Sequence, residues 1–389
     1  MRPNAYRVLK DLLSLPTAPF REQQIRAFVA ETLDGWGVPA FEDPAGNLVV
    51  GVGDRQAYRR LLRTAAREPV RLFVAHMDHP GFHGMRWLDP KRLQVRWHGG
   101  SPVKHLAGAK MWLSAGEGYA AEGTLQNVRL IRSRRAIDRA VVRLPSSALH
   151  DAHRARRLYG GFAFRAPVWK SGKRLYTKAA DDLVGVYCIM ETARQLFSGR
   201  RRKGVPFLGL LTRGEEVGFV GAVAHLELGW WRRASRPLVC VSLEASRTLP
   251  GAVIGQGPVV RLGDRRTVFD ADGLKVLSDV AEQALPGRHQ RRIMDGGACE
   301  ATAATAFGLP AIGLSIPLGN YHNQGFEGGP DCRAVQGPAP EFVHLEDIEG
   351  QLSVCRGLMQ SGLAWRDAWR EQRRRLARLR ADYERLLGY

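Results

Sequence analysis

The sequence predicts an α/β fold, a mixed and mostly parallel sheet flanked by helices, with a small all-β domain inserted into it. Three observations carry this. Strand-length apolar runs alternate with amphipathic helical stretches at the start of the chain and again from about residue 172. Residues 84–171 differ, with short alternating runs separated by Gly, Pro and Ser. A chain of 389 residues, 44% hydrophobic and 25% charged, supplies a core for one large unit and one smaller one.

The elements run in this order. Tyr6, Val8, Leu9, Leu12 and Leu13 recur at helical spacing and Pro16 ends that helix. A second amphipathic helix lies in EQQIRAFVAETLDGWG, succeeded by the turn DPAGN and the strand LVVGV. LFVA (72–75) reads as a buried strand ending at His76. RLQVRW, AKMWLSA, EGTLQNV and RAVVRL are the short runs of a β-barrel or sandwich, and SRRAIDRAVVRLPSSALHDAHRARRL is expected to be partly disordered loop. Helix LVGVYCIMETARQLF, strand PFLGLLT, helix FVGAVAHLELGWW, strand PLVCVSL, helices ADGLKVLSDVAEQAL and CEATAATAFG, and strand AIGLSI then restore the α/β texture. The larger domain is therefore expected to be discontinuous, 1–83 with 172–389, and 84–171 to be an inserted β-barrel serving dimerisation or substrate access. From Leu363 to the end, 363–389, Trp365, Trp369, Leu376, Leu379, Tyr383 and Leu386 mark a basic amphipathic helix, expected to pack on the domain or on another subunit.

The formal charge is +20. Its clusters (Arg132 to Arg135, Arg154 to Arg157, Arg200 to Lys203, Arg373 to Arg375) sit beside no nucleic-acid module and lack interleaved stacking aromatics. A basic solvated surface is the simplest use of this charge, and attraction of acidic peptides a second. Five isolated cysteines argue against a disulfide framework and a thiolate metal site. With no secretory leader pattern and no apolar run of membrane-spanning length, a cytoplasmic protein is expected, without membrane association.

Metal-competent residues recur where strands end. His76 and Asp78 lie in FVAHMDHPGF, Asp181 and Asp182 in KAADDLVG before an apolar helix, Glu215 and Glu216 in LLTRGEEVG, Glu244 in CVSLEAS, and His322 in IPLGNYHNQG. Ligand sites of α/β sheets gather beyond the carboxyl ends of strands. Each motif alone has an ordinary structural use; DD before a helix, for example, is commonly an N-cap. Jointly, imidazoles and carboxylates suit two divalent ions that share one carboxylate, with a further carboxylate kept free as general base.

At these motifs the sequence resembles the TET-type dinuclear aminopeptidases, the glutamyl and deblocking aminopeptidase family. LLSLPTAPFREQQIRAFVAETLDGWGVPAFEDPAGNLVV, VRWHGGSPVKHLAGAKMWL and GGACEATAATAFGLPAIGLSIP extend the likeness over nearly the whole chain. The resemblance implies a zinc-exopeptidase-like (phosphorylase/hydrolase-like) domain and a homo-oligomer. It implies two ions, zinc by default with cobalt or manganese as alternatives. His76 and Glu244 would hold one ion, Glu216 and His322 the other, with Asp181 bridging. Glu215 would be the general base acting through a metal-bridging hydroxide, Asp78 would orient His76, and the Asp181–Asp182 peptide would be cis. Glu244 replaces the family's usual Asp, and Leu183 its usual Arg. The reading is a metalloaminopeptidase acting on peptides. Its rivals are a carboxypeptidase or N-acyl amino acid deacylase on the same scaffold, or a basic nucleic-acid-binding or structural protein with a relic metal site.

Overall fold

The structure, a computed structural model, describes residues 1–198 and 204–387. The basic cluster Arg200 to Lys203 and the last two residues of the segment 363–389, expected to be helical, lie outside the described residues. An eight-stranded sheet has the order Ala40–Glu42, Leu48–Val50, Phe207–Thr212, Val70–His76, Leu238–Arg247, Ala311–Leu318, Val259–Asp264, Gln290–Met294. The four strands from Phe207–Thr212 to Ala311–Leu318 run parallel. Val70–His76 is buried at every residue, as an apolar run covered on both faces should be. Arg71, the cation within that strand, is neutralised by Glu68 at 2.7 Å.

Two apolar clusters fill the two faces. One gathers Leu9, Ile25, Ile189, Leu277 and Leu352 of the longer helices onto Phe73 of the sheet, and the other Tyr58, Leu62, Leu72, Leu208, Trp230 and Ala304. The arginine-rich segment Arg55–Arg63 joins the second cluster as an amphipathic helix, capped by Asp54 and burying Tyr58, Leu61 and Leu62.

A closed antiparallel barrel runs from Gly81–Asp89 through Arg92–His98, Ile137–Arg143, Ala121–Leu130 and Lys110–Ser114 to Tyr159–Phe162, which pairs back to the first strand. Its interior holds Phe82, Trp97, Met111, Leu125, Val142 and Phe162. The stretch expected to be partly disordered contributes the strand Ile137–Arg143 and the short helix Ala148–Ala152, because Ile137, Ala140, Val142, Leu149 and Ala155 complete that interior. Val168–Ser171 and Arg174–Thr177 form a separate three-stranded sheet with Glu341–His344.

The terminal helix Arg370–Asp382 buries no residue of its own. Its approach is tied to the domain through Trp369, whose Nε1 donates to Asp272 at 2.8 Å. Among the described residues no helix is long and apolar enough to cross a membrane.

Candidate metal centre

Strand order explains why the chemical groups meet. Phe207–Thr212, Val70–His76, Leu238–Arg247 and Ala311–Leu318 are consecutive, so the segments leaving their carboxyl ends converge. His76 closes its strand level with Thr212, and Glu244 lies level with Ser315. Glu215 and Glu216 occupy a tight turn entered through Gly214 at φ 60°. His322 sits in a turn where Asn320, His322 and Asn323 all adopt left-handed backbone. Asp181 arrives from a different layer, at the entrance to helix Leu183–Phe197, where the Asp181–Asp182 peptide is cis and Asp182 caps the helix by accepting from the Gly185 amide.

His76, Asp181 and Glu216 bring one ligand atom each within 4.8 Å of one another. Asp181 turns Oδ1 to His76 Nε2 at 3.3 Å and Oδ2 to His322 Nε2 at 3.6 Å. His322 Nε2 is also 3.2 Å from Glu216 Oε2. Glu244 lies on the other flank, with one carboxylate oxygen within 4.8 Å of those of Glu215 and Glu300. The flanks adjoin where Glu215 Oε2 comes 3.8 Å from His76 Nε2.

The supporting groups are buried. The Asp78 carbonyl lies 3.0 Å from His76 Nδ1, which must therefore donate, freeing Nε2 to bind a cation. The Asp78 carboxylate, expected to orient that imidazole, is 3.7 Å from Nδ1 and instead accepts from the amides of Glu215 and Glu216 at 2.9 and 3.2 Å, fixing the doublet. Glu341, which sequence reasoning missed, accepts from the amides of Ala180, Asp181 and His322 at 2.7, 3.2 and 2.8 Å. Glu300, also missed, accepts from Thr212 Oγ1 at 2.7 Å. The available signal for both was an acid inside an otherwise apolar segment.

Burial and crowding of like charge displace the proton affinities. Burial raises the Glu215 carboxyl well above its usual range, with Glu216, Glu300 and Glu244 adding to the shift and His76 opposing it. Burial and Glu300 likewise raise Glu244. Burial disfavours the His76 imidazolium, but Glu215, Asp181 and Asp78 outweigh it and hold His76 well above its ordinary value. The same contest, won by Glu216 and Asp181, takes His322 to about 10. Asp181 moves the other way: burial opposes its charge, and the two imidazoles overcome that.

The donor set fits divalent cations. Glu216 Oε1, Glu244 Oε1 and Glu300 Oε2 are buried with no hydrogen-bond partner, an arrangement that is costly unless cations or protons compensate it. Imidazole and carboxylate are ligands for zinc and for other first-row divalent ions.

The model of the M42 glutamyl aminopeptidase family matches residues 60–326. The chain belongs to this family. None of the curated proteins compared with it matches. Among solved structures, the TET aminopeptidase of a marine-sediment archaeon, Thaumarchaeota archaeon, superposes with TM-score 0.70 at 17% identity, over 93% of this chain and 98% of that one. The Pyrococcus horikoshii TET1 peptidase, described as assembling into a tetrahedron or a large octahedral shell, gives 0.68 at 20% identity, over 92% and 99%. An aminopeptidase of Desulfurococcus kamchatkensis gives 0.70 at 19% identity, over 93% and 96%. At these identities the likeness concerns the fold: the M42 sheet, flanking helices and barrel are shared. M42 membership makes this a metal-dependent aminopeptidase.

Proposed function

We propose that the chain is a dinuclear metalloaminopeptidase that removes N-terminal residues from peptides and prefers an acidic first residue. The observation that carries the dinuclear reading is Asp181, whose two oxygens face two different imidazoles, as a bridging carboxylate requires. His76 and Glu244 would hold one ion, Glu216 and His322 the other, and Asp181 both. Zinc is the default for this donor set, with cobalt or manganese as alternatives. When bound, such ions polarise a carbonyl and lower the pKa of water. Glu215 accepts the attacking water's proton and returns it to the leaving amine, a task suited to a carboxyl whose proton affinity is raised. Asp78 holds the amides beside it and keeps that carboxyl in position. The same reading includes homo-oligomerisation and an inserted barrel domain that borders substrate access or a subunit contact.

Specificity rests on Arg261. It is 2% exposed, its Nε has no partner, and Nη1 donates only a long hydrogen bond to Ser246 Oγ at 3.4 Å. It lines a small pocket with Glu244, Ser246, Met294, Gly296 and Tyr321, so the pocket adjoins the proposed metal ligands through Glu244. A buried guanidinium with N–H donors to spare suits a bidentate carboxylate. With Arg261→Met, kcat/KM for glutamyl-arylamide should fall roughly 100-fold while leucyl-arylamide changes little. An equal loss on both substrates would remove the assignment. Arg261 also supports a second reading, in which the carboxylate it receives is the C-terminus of an N-acyl amino acid. Turnover of N-acetyl amino acids in preference to aminoacyl-arylamides would favour that deacylase activity.

Cation binding should release protons. The carboxylates around them hold the proton affinity of His76 above its ordinary value and raise His322 to about 10 without metal. Ligation needs the neutral imidazole, so affinity should rise with pH through the neutral range. Calorimetric zinc titrations at pH 7, in two buffers of different ionisation enthalpy, should report net proton release. Proton uptake would contradict the ligand set.

A further inference from the structure

Part of the excess arginine lines one cleft on the outer wall of the barrel. Strands Gly81–Asp89, Arg92–His98 and Ile137–Arg143 are neighbours, and their register sets His83 opposite Arg96 and Arg96 opposite Arg139. Arg21 and Arg156 close the ends, joined by a 2.8 Å hydrogen bond from the Arg21 guanidinium to the Arg156 carbonyl. With Arg86 they rim a cleft of about 670 Å³ that no acidic side chain lines. His83 and His98 complete it, their ring centroids 4.4 Å apart.

This charge is largely uncompensated. Of these arginines only Arg139 has an acidic partner among the described residues, Asp138 at 3.7 Å. Arg86 donates to the neutral Gln94 side chain at 2.9 Å, and Arg21 Nε is buried without a partner. Like charges directly opposite on antiparallel strands are destabilising, so an anion placed between Arg96 and Arg139 would relieve a repulsion built into the fold. Burial, His98 and Arg21 depress His83 to about 4, and burial and Arg96 depress His98. Both imidazoles are thus neutral near pH 7, and the arginines supply the positive field.

The cleft shares its segments with the metal centre. His98 leads into Gly99 and Gly100, where an added Cβ would meet the Glu216 Cβ at 3.2 Å and the His322 ring at 2.0 Å respectively. Arg21 precedes Glu22, which accepts from the Gly214 amide beside Glu215 at 3.1 Å. An aminopeptidase holds the substrate's N-terminus at its metal ions, and the remaining chain leaves past neighbouring surface, of which this wall is continuous with the centre.

We propose that the Arg21, Arg86, Arg96, Arg139 and Arg156 cleft binds acidic side chains of the peptide substrate, downstream of the scissile bond. This rests on the aminopeptidase reading. Guanidinium forks pair with carboxylates in two-point contact. A second copy of the chain would have to bring an acidic patch to this wall, and cations outnumber acids in the sequence by 58 to 38. A nucleic-acid strand would want stacking aromatics, and none lines the cleft beyond the two imidazoles.

The test compares two peptides with the same first two residues, one carrying Asp and Glu further along and the other Asn and Gln. The parent enzyme should favour the acidic peptide in kcat/KM by about tenfold, because several exposed pairs act together. The preference should shrink toward unity at about 0.5 M salt, where screening is strong. Arg96→Glu with Arg139→Glu should abolish or invert it. Arg375→Glu with Arg378→Glu, the same charge change on the terminal helix, should retain it. Fluorescence anisotropy of the labelled acidic peptide on the metal-loaded Glu215→Gln protein, with and without competitor RNA, gives a readout independent of turnover. A parent ratio near one, or a ratio that the barrel variant leaves intact, overturns the proposal. So does tighter binding of single-stranded RNA that the barrel variant abolishes. Failure to cleave either peptide would sink the aminopeptidase reading, and the anisotropy arm would still decide whether the cleft holds an acidic chain.

Discussion

Glu215→Gln should lower kcat by roughly 10²–10⁴-fold, the span that a positioned general base contributes, while KM moves little and bound metal is retained. The amide matches the carboxyl in shape, and the Glu215 backbone amide would still donate to Asp78 at 2.9 Å. What disappears is the capacity to take a proton from water and give it to the leaving amine. The geometry also sets a strict condition. Glu215 Oε2 lies 3.8 Å from His76 Nε2 and groups with Glu244 and Glu300, close enough to ligate rather than act as base. Metal analysis beside kinetics separates the two roles: a base leaves the metal content unchanged, a ligand takes an ion with it. Stability gives an independent check. Burial and neighbouring carboxyls make a charged Glu215 unfavourable in the metal-free protein. The neutral glutamine should therefore melt no lower than the parent without metal. A variant of full activity would eliminate Glu215 from the chemistry.

The parts of this centre visible in the sequence are those that a strand end announces. His76 closes a mostly apolar run, the Glu215–Glu216 doublet comes just after another, and Glu244 lies near the end of a third, so each polar residue interrupts a pattern. Topology then makes neighbours of strands far apart in the chain. Residues whose purpose exists only across the fold were not legible. Arg261 sits in VVRLGD, where alternation suggests an exposed position, and Glu341 precedes FVH as a strand-edge acid might. The buried helix Leu345–Leu358 gave little signal because its inner face includes polar and small residues: Asp347 accepts from the amides of Gly255 and Gly257, and Gly350 lies close against Pro258. The terminal helix is the converse case. Its spacing gives it an apolar stripe, yet Leu376, Leu379 and Tyr383 are 54%, 44% and 59% exposed. Periodicity fixes the face of a helix but not whether this chain supplies a surface to cover it.

Gly100→Ala should cost about 100-fold in activity and one of the proposed metal ions, although Gly100 has no side chain to contribute. A Cβ there would stand 2.0 Å from His322 Nδ1, 2.9 Å from its Cε1 and 3.1 Å from its Cγ, inside the ring's van der Waals envelope. The imidazole has little freedom to step aside. Tyr321 stacks on it at 3.7 Å between centroids, His79 meets it edge-on at 6.4 Å, and Glu341 holds its backbone amide at 2.8 Å. Its backbone is fixed in the left-handed region at φ 55°. The methyl group must therefore push the ring off Asp181 and Glu216, or push the Gly99–Gly100 segment away from the centre. The first movement separates His322 from the pair it approaches at 3.6 and 3.2 Å, and the second shifts Gly99, whose Cβ position packs on Glu216, away from the centre. His322→Ala should reproduce the loss, whereas Gly35→Ala, where an added Cβ meets nothing within 4 Å, should be silent. Metal stoichiometry and kcat measured on the three variants decide the matter. If Gly100→Ala kept both ions and full turnover, the Gly99–Gly100 segment would have yielded in place of the ring; if His322→Ala kept them as well, His322 would be a bystander, and the second ion would need another imidazole. His79 is the nearest alternative, but its Nδ1 already faces the Asp181 carbonyl at 2.9 Å and its Nε2 the Asn323 side chain at 3.3 Å, so it has no free nitrogen to offer.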